Sequence, residues 1–498
     1  MTTALQRPDQ NGQAGRSGVA GSAVVPESPP KPRGNWFARD PAWPLVALLA
    51  GWPLWWALGL VSYIAVILAI PMAWKMYLWV AREGRRIRKP PAYGLWLLFL
   101  VVMFFGVAML KLNAPETLPG GILSHKLASW ALRAVFYLAA TITLLYAGNL
   151  TESELSRHRL AWLLGLVAVY SIVFGIAAVA DPGFHFTSPL AAVVPNTIQQ
   201  ADTAIASALH PAFSQKQTFG GTGRIAAPFT YSNGYGNNLA ILLPWMIVAW
   251  ILEGTRRYRR IGLVMLSISI VPIVFSFDRG LWVGLVLGAA YLVVRLGAKN
   301  PKMLLAFVGA LLLVTIILAA TPLLSLVSAR INKGSSDAGR TNQAVVAIKG
   351  AVTSPVLGYG DTRREQGASN SIAVGKSANC PDCGNNSIGS HGQLFLLLFA
   401  NGIVGAIFYM GFFGYGVWVF RRDKTPYGLA GSLILLLGFV FSFVYEAVGP
   451  TLSFMMLSYV LLWRNDMYRR DQLAAAEADE LSTAGGNGAA SLPAGSPA

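Results

Sequence analysis

Arg224 closes a Gly-rich run at 220–224 and leads into IAAPFTYSNGYGNNLAILLPW, a Gly- and Asn-rich stretch that includes Asn233 and becomes apolar. Backbone N–H groups beside a guanidinium make a natural phosphate site. The run is not a Walker A loop, because no Gly-Lys-Ser/Thr follows. The other reading is an interfacial Arg reaching for water from a flexible loop. Asp278-Arg279-Gly280 interrupts SFDRGLWVG, an otherwise nearly apolar run. Ionisable residues at membrane depth are costly, so the pair is either a binding charge with its holder or a neutralised tight turn. Arg340 precedes a stretch of helical character at 341–352 and then TSPVLGYGD at 353–361. It either faces a substrate or is simply solvated.

His391 stands in SHGQLFLLLFANGIVG, where a polar segment enters an apolar one. An imidazole can be neutral near physiological pH and can take a proton from an attacking hydroxyl. Alternatively it is a capping or core His, with Ser390 as the N-cap. Of the five His in the chain, His125, His158, His185 and His210 lack comparable neighbours. Glu446, in FVYEAVGP, is either a partner for one of these Arg or an exposed interfacial acid. Cys380 and Cys383 form C-P-D-C. Without two further ligands a zinc site is weak, and in an extracytoplasmic loop a local disulfide is favoured. It would close a very short ring and add little global stability.

The elements that must position these residues follow from composition. The sequence is 54% hydrophobic and 12% charged, against about 25% charged in an ordinary soluble domain. That excludes a soluble globular class, and the apolar content excludes disorder over most of the length. Only two Cys exclude a disulfide scaffold. The expected fold is all-α: a polytopic helical membrane protein of about 12 spans, near 42–56, 59–81, 93–112, 126–148, 160–180, 234–253, 261–277, 280–296, 303–323, 392–419, 428–445 and 450–463. The first two are short and could form one hairpin. Residues 1–40 and 471–498 read as disordered cytoplasmic tails flanking a membrane domain at 41–470.

The 39 Lys and Arg against 22 Asp and Glu give a net +17. In a soluble chain that balance would point to nucleic acid; here it follows the positive-inside rule. Basic clusters at 82–89, 256–260, 295–302, 421–424 and 464–470 fall on one side when the spans alternate, placing both termini in the cytoplasm. The same alternation puts long segments at 181–223 and 324–390 outside. Arg224, Arg279 and Arg340 are then cations that the rule does not explain.

Taken in order, these features resemble the O-antigen ligase and O-antigen polymerase superfamily. They are Arg224 with its Asn-rich continuation to Asn238, Arg279 at a tight outer turn, Arg340 before Pro355-x-x-Gly358-x-Gly360, and His391 opening a helix with Asn401-Gly-Ile-Val-Gly405. One departure is local: the family has Asn after this His, whereas Gly392 and Gln393 follow here. The resemblance implies a GT-C-like glycosyltransferase of a bacterial cytoplasmic membrane, with its active site facing outward. Its donor would be an undecaprenyl-pyrophosphate glycan and its acceptor a glycan, lipid or protein hydroxyl, with no metal or cofactor. His391 would be the base, Arg224 and Arg279 would bind the pyrophosphate, and Arg340 would contribute to the donor or acceptor pocket; Asp278, Glu446 and Asn233 are further substrate-site candidates from the residues themselves. A protein O-oligosaccharyltransferase, or a transporter or flippase of an anionic lipid-linked substrate, are the alternatives.

Overall fold

The computed structural model describes residues 40–118, 122–199, 203–215, 223–297, 335–364, 387–389 and 391–489. The expected span at 303–323, the Cys380–Cys383 pair, Ser390, and the expected tail at 1–40 apart from Asp40 lie outside those residues. All elements below belong to the unit Pro41–Ala498.

The first expected span is broken into α1 (Trp43–Ala50) and α2 (Trp52–Ala57) at Gly51. Next come α3 (Ile64–Glu83), α4 (Tyr93–Phe105, with a tighter turn at Gly106–Met109), α5 (Leu123–Asn149) and α6 (Arg157–Ala180). The segment from 181 carries α7 (Asn196–Gln199), α8 (Thr203–Leu209) and a small hairpin, β1 (Ser214–Gln215) with β2 (Arg224–Ile225). Then follow α9 (Ser232–Met246, ending in a π-helical turn at Ile247–Leu252), α10 (Arg256–Ile268), α11 (Ile270–Phe275) and α12 (Arg279–Leu292). Beyond the undescribed stretch lie α13 (Ser335–Thr353), α14 (Gln393–Phe420), α15 (Pro426–Phe441) and α16 (Pro450–Ala489).

Seven helices among the described residues are long and apolar enough to cross a membrane, and Tyr93–Met109 and Pro426–Phe441 are shorter apolar helices. The last helix continues past 470, where composition predicts a disordered tail, because QLAAAEADEL is made of strong helix formers. Helix starts coincide with polar breaks. Ser156 accepts from Arg159 N, Asp278 from Gly280 N and Leu281 N, and Thr425 from Gly428 N, with Pro426 in the first turn. Each such cap is worth about 1 kcal/mol. Aromatic packing fills the middle of the bundle: Trp96, Phe99, Tyr137, Tyr409 and Phe412 are fully buried together.

The basic breaks meet at one end. Arg85 pairs with Glu154 at 3.3 Å and Arg464 with Glu152 at 2.8 Å. Asn465 accepts from Arg157 at 2.6 Å and donates to Asp423 at 2.7 Å. Arg469 pairs with Asp423, and Arg295 donates to its carbonyl. The opposite end carries Arg224, Asp278 and His391.

One junction at that opposite end is unusual. Gly402 has φ +69° inside α14, so the helix is interrupted there. The SPVLGYG turn fills the break: Tyr359 N and Gly360 N donate to Phe399 O and Ala400 O, and Val404 N donates to Pro355 O. A Cβ on Gly358 would stand 2.6 Å from Ala400 backbone, and one on Gly402 2.5 Å from Pro355 O. The two glycine motifs of the sequence are therefore the two halves of one joint.

Candidate active site

Arg224 emerges from β2, where it pairs with Gln215. Its side chain is buried and Nε donates to Ser276 O at 3.4 Å. One terminal nitrogen, Nη2, donates to Asn233 at 3.3 Å and lies 3.7 Å from Asp278 Oδ2. The carboxylate of Asp278 caps α12, which places Arg279 in the first turn, and also accepts from the Tyr445 hydroxyl. Two glycines permit this approach. A Cβ on Gly236 would lie 2.3 Å from Asp278 Oδ2, and one on Gly280 2.1 Å from the Tyr445 hydroxyl. Burial pushes Asp278 upward, opposed by the Arg224 charge, Tyr445 and the α12 backbone. Burial lowers Arg224; Asp278 and Tyr445 oppose that, while Arg340 and Arg279 add to it. Arg279 and Arg340 thus both lie within electrostatic reach of Arg224 and repel it, which an incoming anion relieves. Arg340 Nε is buried without a hydrogen-bond acceptor among the described residues.

His391 ends the polar approach to α14. Its Nδ1 lies 3.2 Å from Gln343 Oε1. Gln343 and Arg340 are three apart on α13 and share one face of it. Burial first, then the Arg340 charge, pushes the imidazole down to about 4, so it is neutral at pH 7. With Nδ1–H donating to Gln343, Nε2 is the basic nitrogen. Gln393, two residues on, ties the start of this helix to the Tyr445–Ala447 segment. Gln393 N donates to Tyr445 O at 2.8 Å, its side chain donates to Tyr137 at 3.2 Å, and Ala447 N donates to its Oε1 at 3.0 Å. That clamp fixes Tyr445 and Glu446 beside His391.

A cavity of about 560 Å³ adjoins these groups, lined among others by His391, Asn233, Tyr445, Glu446 and Arg133. Arg133 forms a buried ion pair with Asp361, the last residue of the TSPVLGYGD motif. Arg363 is inside the same corner, donating to the carbonyls of Leu110, Tyr359, Asp361 and Thr362.

The structure therefore brings Arg224, Arg279, Arg340, Asp278, Asn233 and His391 together, with Glu446 on the cavity side, nearer Arg133. Gln343, Tyr445, Arg133 and Asp361 escaped the sequence reading. Arg133 had a usable signal, a cation inside an apolar span. Gln343 had another, one helical turn after Arg340. Among the described residues no group of three or more His, Cys, Asp or Glu is placed to hold a metal ion.

Residues 264–410 match the family model described as O-antigen ligase. Over that stretch the chain is similar to the O-antigen ligase family. Asp278, Arg279, Arg340, Gln343 and His391 all lie within the O-antigen ligase match, whereas Arg224 and Asn233 precede it and Tyr445 and Glu446 follow it. No curated protein matches the sequence. The match over residues 264–410 supports a glycan-transferring membrane protein of ligase or polymerase type at the level of the family.

Proposed function

We propose that the protein transfers a glycan from a polyprenyl-pyrophosphate donor, of the undecaprenyl type, to a hydroxyl acceptor. The single observation that supports this is a buried Arg224 within electrostatic reach of Arg279 and Arg340, near a buried imidazole that Arg340 also reaches. Pyrophosphate fits the first group: its charge grows as the anomeric C–O bond breaks, and preorganised guanidiniums stabilise that charge in a dry site. His391 Nε2 takes the acceptor hydroxyl proton while the oxygen attacks the anomeric carbon. The electron pair of the breaking bond leaves with the polyprenyl pyrophosphate, and attack from the opposite face inverts the anomeric centre. An anion beside Arg340 also offsets the repulsion that depresses His391, so donor binding makes the base stronger. By the positive-inside rule the basic end is cytoplasmic and the arginine end faces outward. Guanidiniums in this role substitute for the metal of a soluble glycosyltransferase.

Purified protein in detergent, with a defined polyprenyl-pyrophosphate glycan, an acceptor and a chelator, tests the reading. Product is expected. Arg279→Ala and His391→Ala, at normal protein levels, should each lower the rate about 10²–10⁴-fold. Undiminished transfer by either variant removes that residue from its role. Donor binding without product, in detergent where no compartments exist, favours a transporter or flippase instead.

A further inference from the structure

The basic break after α9 is built differently from its neighbours at the same end of the bundle. Arg85, Arg464 and Arg469 each pair with an acid, Glu154, Glu152 and Asp423 in turn. The foot of α10 sets Arg256, Arg257, Arg259 and Arg260 within five residues, all exposed, and among the described residues none of them has an acidic partner. Glu253, the acid nearest in sequence, is already engaged: it accepts from the Tyr427 hydroxyl at 2.6 Å and lies 3.3 Å from His158 Nδ1.

The patch is held in place from behind. Tyr258 packs edge-on against Trp250 of the π-helical turn and Trp162 of α6, with centroids 5.6 and 5.8 Å away. Gly262 lies so close to that turn that a Cβ would stand 2.8 Å from Ile251 Cγ1, and Arg259 Nε donates to Ile251 O at 3.0 Å. Helical spacing then puts Arg256, Arg260, Val264 and Ile268 on one stripe, with Arg259 and Leu263 beside it. Val264, Leu263 and Ile268 are exposed. From Arg260 to Ile268 the stripe runs about 12 Å at 1.5 Å per residue, most of one leaflet of a ~30 Å hydrocarbon core. The span that carries it, Arg256–Phe275, is only 17% buried, against 78% for Ser232–Leu252. The positive-inside rule asks only for cations in the break; it asks nothing about their fixed register with an exposed apolar stripe. Cations directly above such a stripe match a molecule with an anionic head and a hydrocarbon chain. We propose that Arg256, Arg259 and Arg260 bind the phosphate of an anionic phospholipid, with Leu263, Val264 and Ile268 against its acyl chain. The site lies at the opposite end of the bundle from Arg224 and His391 and does not depend on the glycosyl-transfer reading.

Native mass spectrometry of the full chain in a neutral detergent, titrated with phosphatidylglycerol, tests the site. Wild type should retain phosphatidylglycerol and hold phosphatidylcholine far more weakly. Equal retention of the two lipids overturns the proposal. Arg256→Gln with Arg260→Gln should weaken phosphatidylglycerol binding about 30-fold, the effect of removing two cations at an anionic headgroup. Arg422→Gln with Lys424→Gln, the same loss of charge at another basic break, should leave it nearly unchanged. Equal loss in both double variants overturns the site, because net charge alone then decides. Glycerol phosphate, the headgroup chemistry without chains, should not displace the lipid; displacement at concentrations equal to the lipid's overturns the phospholipid assignment. A measurement on the unaltered chain guards against a misfolded variant. Phosphatidylglycerol with a photoreactive diazirine in its acyl chain, in a phosphatidylcholine bilayer, should label the peptide containing Val264 and Ile268 more than diazirine phosphatidylcholine does. Equal labelling by the two overturns the proposal.

Discussion

At the residue scale, the decisive property is the state of His391. Its ordinary value of 6.5 is pushed down to about 4 by burial and by Arg340. The acid limb of kcat/KM, which reports the free protein, should therefore lie well below pH 6.5. Arg340→Gln should move that limb upward, but not fully to 6.5, because burial is the larger cause. A pH–rate profile that does not shift separates Arg340 from the base. The same depression affects stability: below pH 6.5 the unfolded chain takes up the proton and the folded one does not, so this contribution falls from pH 6.5 towards 4 and is flat above. Tyr445→Phe removes a donor to buried Asp278. Thermal unfolding should show a loss of about 1–3 kcal/mol, with slower transfer as Arg224 loses its fixed counter-charge. Arg224, Arg279 and Arg340 stood out as candidates because each is a cation the positive-inside rule leaves unexplained, and His391 because an imidazole stands where a polar segment enters an apolar helix. Gln343 and Tyr445 did not, because a polar residue on a helix and a Tyr near an interface break no such expectation.

At the element scale, the joint between the SPVLGYG turn and α14 sets the relation of α13 to α14, and hence of Arg340 and Gln343 to His391. Gly358 and Gly402 both have positive φ and no room for a side chain. Gly358→Ala should be destabilising by well over the 1–2 kcal/mol of its backbone conformation alone, and should slow transfer. Gly414→Ala on the same helix α14 is the control: nothing lies within 4 Å of its Cβ position. Equal effects of the two would refute a special role for the joint. The sequence displayed both glycine motifs plainly. That they fit each other and not a ligand is a long-range fact, since Gly358 meets backbone more than 40 residues away, as their numbers show.

At the scale of the molecule, the charge pattern along the chain becomes a polarity of the bundle. The contacts among Arg85, Glu154, Arg464, Glu152, Arg157, Asn465 and Asp423 collect the basic breaks at one end. Reporter fusions test the assigned sides: a fusion after Gly254 should report the cytoplasm and one after Gly183 the outside, and the reverse pattern would invert the site. Seven of the expected spans coincide with described helices long and apolar enough to cross a membrane, because those helices are apolar over most of their length. The break between α1 and α2 and the extension of α16 were not legible, since they depend on packing at Gly51 and on propensity outweighing a tail-like composition.

That same last helix has a consequence for how the protein is made. Arg464 and Asn465 answer polar groups presented by Glu152 and Arg157, and Trp463 packs where Gly148 leaves space. As a ribosome delivers the spans to the membrane in order, the early helices must wait, their charged ends lacking these contacts, until nearly the whole chain has been synthesised. Closure of the bundle is thus a late event in biogenesis, and a polypeptide stalled before α16 is a natural substrate for membrane quality control.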